Sequence, residues 1–131
     1  MSASAAIRSH CELWNARDQA AWSALFADDV VFEDPVGAPP KLGREAVRQS
    51  WERSLTPGRE WTLVPTRIHS GGSEAVVVMR NEGNLHGESV VVDSLEVWRV
   101  NADGLVDSVR AFFEPDPSVQ SDYFLIERAE G

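Results

Sequence analysis

Cysteine is almost absent from this chain. Cys11 is the only one in 131 residues, which excludes an intrachain disulfide framework and any multi-cysteine zinc site. The three histidines, His10, His69 and His86, are scattered without H-x-x-H or H-x-E spacing, so no metal site built by the protein is expected. Basic residues are outnumbered, 12 Lys and Arg against 21 Asp and Glu. The resulting net charge of −9 argues against a nucleic-acid partner, which needs a basic face to displace counterions from phosphate, and against anionic membrane surfaces. A neutral or cationic ligand suits such a chain better. No apolar run approaches the ~20 residues needed to span a bilayer, and the opening "MSASAAIRSH" has no apolar leader-like segment. G-x-G-x-x-G, G-x-S-x-G and P-loop signatures are also missing, and no cofactor is expected. The bulk reading is a cytoplasmic protein with no membrane partner.

With 43% hydrophobic and 25% charged residues, the composition is that of a globular domain. One domain over residues 1–131 is expected, with 1–3 and 118–131 set apart as flexible or partner-docking ends. Three helices come first. "AAIRSHCELWNAR" puts Ile7, Cys11 and Trp14 on one helical face, and His10 falls on that face too. "DQAAWSALFADD" reads as a second helix with Asp18 as N-cap and Trp22, Leu25 and Phe26 on its buried side. "REAVRQSWERSL" places Val47, Trp51 and Leu55 at i, i+4 and i+8. Between the second and third helices, "VVFE" is a short strand running into Asp34-Pro35.

After Pro57-Gly58 the period changes from 3.6 to 2. Four strands are predicted in "WTLVPTRIHS", "EAVVVMRNEG", "ESVVVDSLEVWRV" and "LVDSVRAFFE", separated by "GGS", "GNLHG" and "NADG". The fold class is therefore α+β: a strongly curved, mostly antiparallel sheet wrapped as a cone around three N-terminal helices. The mouth of such a cone suits an apolar ligand.

Alternation along the strands picks out the inner wall. One face of the long strand carries Val90, Val92, Ser94, Glu96, Trp98 and Val100; the other carries Val91, Asp93, Leu95, Val97 and Arg99. Glu96 is a lone charge on the apolar face, where burial without a partner is costly. The inward sets of the neighbouring strands include Met79, Asn81 and Phe113. With Trp98 from the long strand, and Trp14, Phe26 and Trp51 from the helices, these form the expected substrate-binding wall. Asp34 has two readings, a turn residue before proline or a functional carboxylate. His10 is likewise either a satisfied core histidine or a working one.

The stretch "LFADDVVFEDPVGAPPKLGREAVRQSW", with its "EDPVG" and "GREAV" motifs, resembles the bacterial ketosteroid isomerases of the nuclear transport factor 2-like (SnoaL-like) superfamily. The resemblance implies a cystatin-like cone and an isomerase that moves a proton within an apolar unsaturated ketone, steroid-like or polyketide-like. In register with that family, Asp34 is the general base, and His10 and Glu96 occupy the oxyanion positions held there by a tyrosine and a protonated aspartic acid. Supporting aromatic hydroxyls of the family are replaced by Phe26 and Trp51. His10 and Glu96 are then either two neutral donors or an imidazolium–carboxylate pair. Other readings are a SnoaL-like cyclase, dehydratase or epoxide hydrolase with a His-Glu/Asp site, and a non-catalytic binding or dimerisation module. The half-apolar outer face, with Val91, Leu95, Val97 and Phe112, suits a homodimer, as the family implies.

Overall fold

Small residues at the start become a helix because Ser2 caps them: its hydroxyl accepts from Ala5 N at 3.2 Å. In the computed structural model, which describes residues 1–114, this helix is α1 (Ala3–Asn15), with Ile7, His10, Cys11 and Trp14 on its buried face. Asp18 caps α2 (Gln19–Ser23) through a 3.1 Å bond from Ala21 N to Oδ1. The chain continues as β1 (Phe26–Glu33), β2 (Lys41–Leu42), α3 (Arg44–Ser54), β3 (Arg59–Gly71), β4 (Glu74–Leu85), β5 (Glu88–Val100) and β6 (Val106–Phe112). The 118–131 segment expected to be flexible or partner-docking lies outside the described residues.

The six strands form one curved, unclosed sheet in the order β2-β1-β6-β5-β4-β3. All pairs are antiparallel except β1 with β6. Register breaks at Pro65/Arg67 and Arg99/Val100 add local bend and twist to long strands. The hairpin tip His86-Gly87 has φ of 53° and 90°, the left-handed pair that a two-residue turn between right-twisting strands requires.

The second helix is shorter than its periodicity suggests. It ends at Ser23, and Phe26 opens β1 in place of closing α2. The reason is long-range: Val106 N donates to Leu25 O at 2.9 Å and Phe26 registers with Val106, so the parallel β1–β6 ladder captures residues that an isolated turn would have kept helical.

Helix α1 lies across β3, β4 and β5. Its apolar face meets the inward residues Ala75, Val77 and Met79 of β4 and Trp98 of β5, each at most 1% exposed. Five aromatic rings close the base: Trp51 sits 4.7 Å from Trp14 and 5.1 Å from Trp22, and Phe26 sits 5.0 Å from Trp22 and 6.1 Å from Trp98. Removing such rings from water stabilises the fold by roughly 1.5–3 kcal/mol each before entropy is counted. The opposite sheet face leaves Val78, Leu95 and Phe112 exposed in one row across β4, β5 and β6, with Val91 also exposed.

Candidate active site

Asp34 follows directly on β1. At this turn Pro35 is buried, its peptide with Asp34 is cis, and Val36 N donates to Ala111 O at 2.8 Å. Lys41 then registers with Phe32 as β2 returns alongside β1. Glu33 on the other side is held by Arg110 at 3.2 Å. The carboxylate is thus anchored on both flanks, half-buried, and borders a cavity.

That cavity spans about 750 Å³ when the solvent space at its open mouth is counted. His10 and Trp14 of α1, Asp34, Asn81 of β4, Glu96 of β5 and Phe113 all border it. Phe26, Trp51, Met79 and Trp98 do not. Trp51 packs behind the Trp14 and Trp22 rings, and Phe26 behind Trp22. Trp98 lies behind His10 with ring centroids 4.6 Å apart. Met79 is covered by α1, whose Cys11 Sγ approaches its sulfur at 3.8 Å. Helical and strand periodicity identified all four as inward, but inward here means core, one layer deeper than the wall.

The wall includes residues that pattern reading did not single out: Trp22, Phe32, Ser50, Ser54, Trp61 and Leu63. Ser50 and Ser54 stand four apart on the buried side of α3, and hydroxyls at that spacing on an apolar face were the available signal. Both donate to helix carbonyls, to Val47 O at 2.6 Å and to Ser50 O at 2.8 Å. Trp61 and Leu63 alternate inward on β3, and an added Cβ on Gly83 would meet the Trp61 ring at 2.7 Å. The absence of a side chain at Gly83 makes room for that ring.

Glu96 is buried and receives two hydrogen bonds. Ser94 Oγ donates to Oε2 and Trp98 Nε1 donates to Oε1, both at 3.0 Å. Asn81 Nδ2 donates to Ser94 Oγ at 3.1 Å and to Val92 O at 2.9 Å, which turns the serine proton toward Glu96. Burial pushes the Glu96 carboxyl up, the Asp34 charge adds to this, and the Trp98 and Ser94 donors oppose it; the outcome is a pKa of about 7.

His10 is a different kind of group. Its Nδ1 accepts from Trp22 Nε1 at 2.8 Å, so Nε2 is the nitrogen left for the cavity. Burial lowers its pKa to about 3, which keeps the ring neutral. The imidazolium–carboxylate arrangement is not what forms: His10 bonds to Trp22, and Glu96 bonds to Ser94 and Trp98. Cys11, beside them, is pushed up to about 12 by burial and then by the Glu96 charge, and is an inert thiol. Among the described residues no three His, Cys, Asp or Glu side chains group to hold a metal ion, and no helix is long and apolar enough to cross a membrane.

The geometry can be set beside known proteins. A family model described as a SnoaL-like domain matches residues 7–109. A steroid delta-isomerase of Nocardioides simplex is 32% identical over 100 residues, covering 76% of this chain and 80% of that protein. The structure of RV0760c from Mycobacterium tuberculosis in complex with estradiol-17beta-hemisuccinate matches with a TM-score of 0.75 and 27% identity, over 86% of this chain and 93% of that one. A Delta 5-3-ketosteroid isomerase from Mycobacterium sp. shares the fold with a TM-score of 0.75 at 21% identity, over 86% and 92% of the two chains.

Proposed function

This chain belongs to the SnoaL-like domain family of the nuclear transport factor 2-like superfamily, and from that premise we propose that it is a steroid delta-isomerase-like enzyme. The reaction is an intramolecular proton transfer that converts a β,γ-unsaturated ketone into its conjugated isomer. One observation carries the reading: a carboxylate from a loop, a neutral imidazole from a helix and a neutral-leaning acid from a strand border a single cavity walled by aromatic rings. The relatedness to a steroid delta-isomerase supports a steroid-like substrate.

Asp34 takes the proton from the carbon between ketone and alkene, and the electron pair moves onto the ketone oxygen as a dienolate. His10 Nε2–H and the Glu96 acid proton donate to that oxygen. Asp34 then returns the same proton to the far carbon of the former alkene, and the carbonyl reforms. No water or external base is consumed. The role of Glu96 needs its proton, and a carboxylic acid held neutral by an apolar site is how ketosteroid isomerase itself is understood to work. Each donor of this kind is worth ~10²–10³ in rate. Asn81 and Ser94 orient Glu96, as does Trp98.

A cyclase, dehydratase or epoxide hydrolase with His10 as its base is the weaker reading. With Nδ1 occupied by Trp22 and the proton on Nε2, the ring has no lone pair for a substrate proton. A purely ligand-binding or dimerisation module is also the weaker reading, because burying the Glu96 carboxyl at the cavity is unfavourable unless the group is used. We further propose that a second copy of the chain covers the Val78, Leu95 and Phe112 row, giving a homodimer. The cytoplasm remains the expected compartment.

The test is direct. Wild-type protein should convert a β,γ-unsaturated 3-ketosteroid to the conjugated enone, followed by ultraviolet absorbance. Asp34→Asn should lower kcat by ~10²–10⁴ while 2-naphthol, a phenolic mimic of the enolate, still binds. A wild-type protein that leaves such ketones unchanged would sink the isomerase reading.

A further inference from the structure

Trp22 sits at the cavity wall with a single polar atom, and that atom is committed: Nε1 reaches His10 Nδ1 at 2.8 Å. An indole nitrogen donates and never accepts. Nδ1 must therefore present its lone pair, and the proton of the neutral ring belongs on Nε2. The indole has no freedom to offer anything else. It is 1% exposed and wedged among Trp14, Trp51 and Phe26, at centroid distances of 5.4, 5.1 and 5.0 Å. On its other side the imidazole packs at a tilt against Trp98, which spends its own N–H on Glu96.

We propose that Trp22 is a positioning residue that holds His10 as the neutral Nε2–H tautomer, so that the cavity meets a fixed hydrogen-bond donor and not an acid or a base. Protonating His10 would set N–H against N–H at Nδ1, and the opposite tautomer would do the same. The titratable groups that share the cavity with His10 are Asp34 and Glu96; Glu96 spends its oxygens on Ser94 and Trp98 and does not compete for Nδ1. A histidine can thus do what a phenol does, but only while a donor-only neighbour decides which nitrogen carries the proton. The consequence for turnover rests on the proton-transfer reading above. The tautomer does not, because it belongs to the resting protein.

The experiment is nitrogen NMR of histidine-labelled full-length protein, with His10 assigned by loss of its signals in His10→Gln. Two variants remove the indole N–H: Trp22→Phe, and the isosteric benzothienylalanine installed at position 22, which keeps the fused rings. Wild type should show Nδ1 unprotonated, Nε2 protonated, and no change from pH 8 down to pH 5. Each variant that retains the wild-type circular dichroism should show a mixture of both tautomers and a His10 titration moved upward by at least about one pH unit. A wild-type Nδ1–H signal would overturn the proposal. So would a folded variant with the wild-type nitrogen pattern and pH response. Because neither readout involves turnover, an inactive protein with the expected tautomer refutes the isomerase reading alone.

Discussion

Two buried groups of opposite habit make the pH dependence of stability a sharp test of the site. Glu96 is raised from 4.5 to about 7 by burial. Between those values the folded protein keeps a proton that the unfolded chain has released, so stability falls as pH rises. At ~1.4 kcal/mol per pH unit the full cost is about 3 kcal/mol, reached above pH 7 and absent below pH 4.5. His10 is lowered from 6.5 to about 3, again by burial. The unfolded chain binds the proton first, so stability falls as pH drops through that window, by about 5 kcal/mol in all. From pH 4.5 to 6.5 the two slopes cancel, and wild type alone would report little. The variants separate them. In Glu96→Gln the amide still accepts from Trp98 and donates to Ser94, and in His10→Gln it still accepts from Trp22. Urea unfolding at one protein concentration gives the free energy of each at a series of pH values. The advantage of wild type over Glu96→Gln should shrink by about 3 kcal/mol between pH 4.5 and 7.5. Its advantage over His10→Gln should grow by about 5 kcal/mol between pH 3 and 6.5. A flat difference for Glu96→Gln would mean that the carboxyl titrates as it does in water, and the neutral donor of the mechanism would be lost with it.

Two further outcomes are expected. Gly83→Ala puts a methyl group within 2.8 Å of Val90 Cγ2 and 2.7 Å of the Trp61 ring. Overpacking of this kind costs about 1–3 kcal/mol, and Trp61 yields toward the cavity it borders. A four-ring steroidal phenol should therefore lose more affinity than 2-naphthol in calorimetric titrations; equal losses would show that Trp61 does not set the cavity's width. Leu95→Lys places a charge in the middle of the exposed row between Val78 and Phe112. Sedimentation should show a wild-type dimer and a variant monomer, and an unchanged wild-type monomer would remove the sheet face as an interface.

Much of the fold is legible because local and long-range demands agree. Val47 and Trp51 are at helical spacing and are buried on a helix; Ser94, Glu96 and Trp98 alternate and share one face of a strand. Where they conflict, the sequence misleads. Phe26 satisfies the helical pattern begun at Trp22, yet a parallel partner eighty residues away claims it for β1. Parallel pairing between β1 and β6 leaves no turn signature to read.

The site divides along the same line. His10 and Glu96 were legible because a polar residue on an apolar stripe breaks a pattern, and a broken pattern is visible in one dimension; Asp34 was legible only through the resemblance of its EDPVG motif. The layer behind them was not, because depth is not periodic: Trp14 and Trp51 read alike, yet one borders the cavity and the other backs it. Trp22 was invisible for a further reason. It read as helix core, yet it borders the cavity, and its role depends on one nitrogen meeting one lone pair across twelve residues. The chemistry of His10 therefore cannot be read from His10. A histidine with the same burial and no indole donor would have had two tautomers to choose from. On the proposed reading, a histidine can stand where the related isomerases have a tyrosine because the neighbour, not the ring, fixes which nitrogen carries the proton.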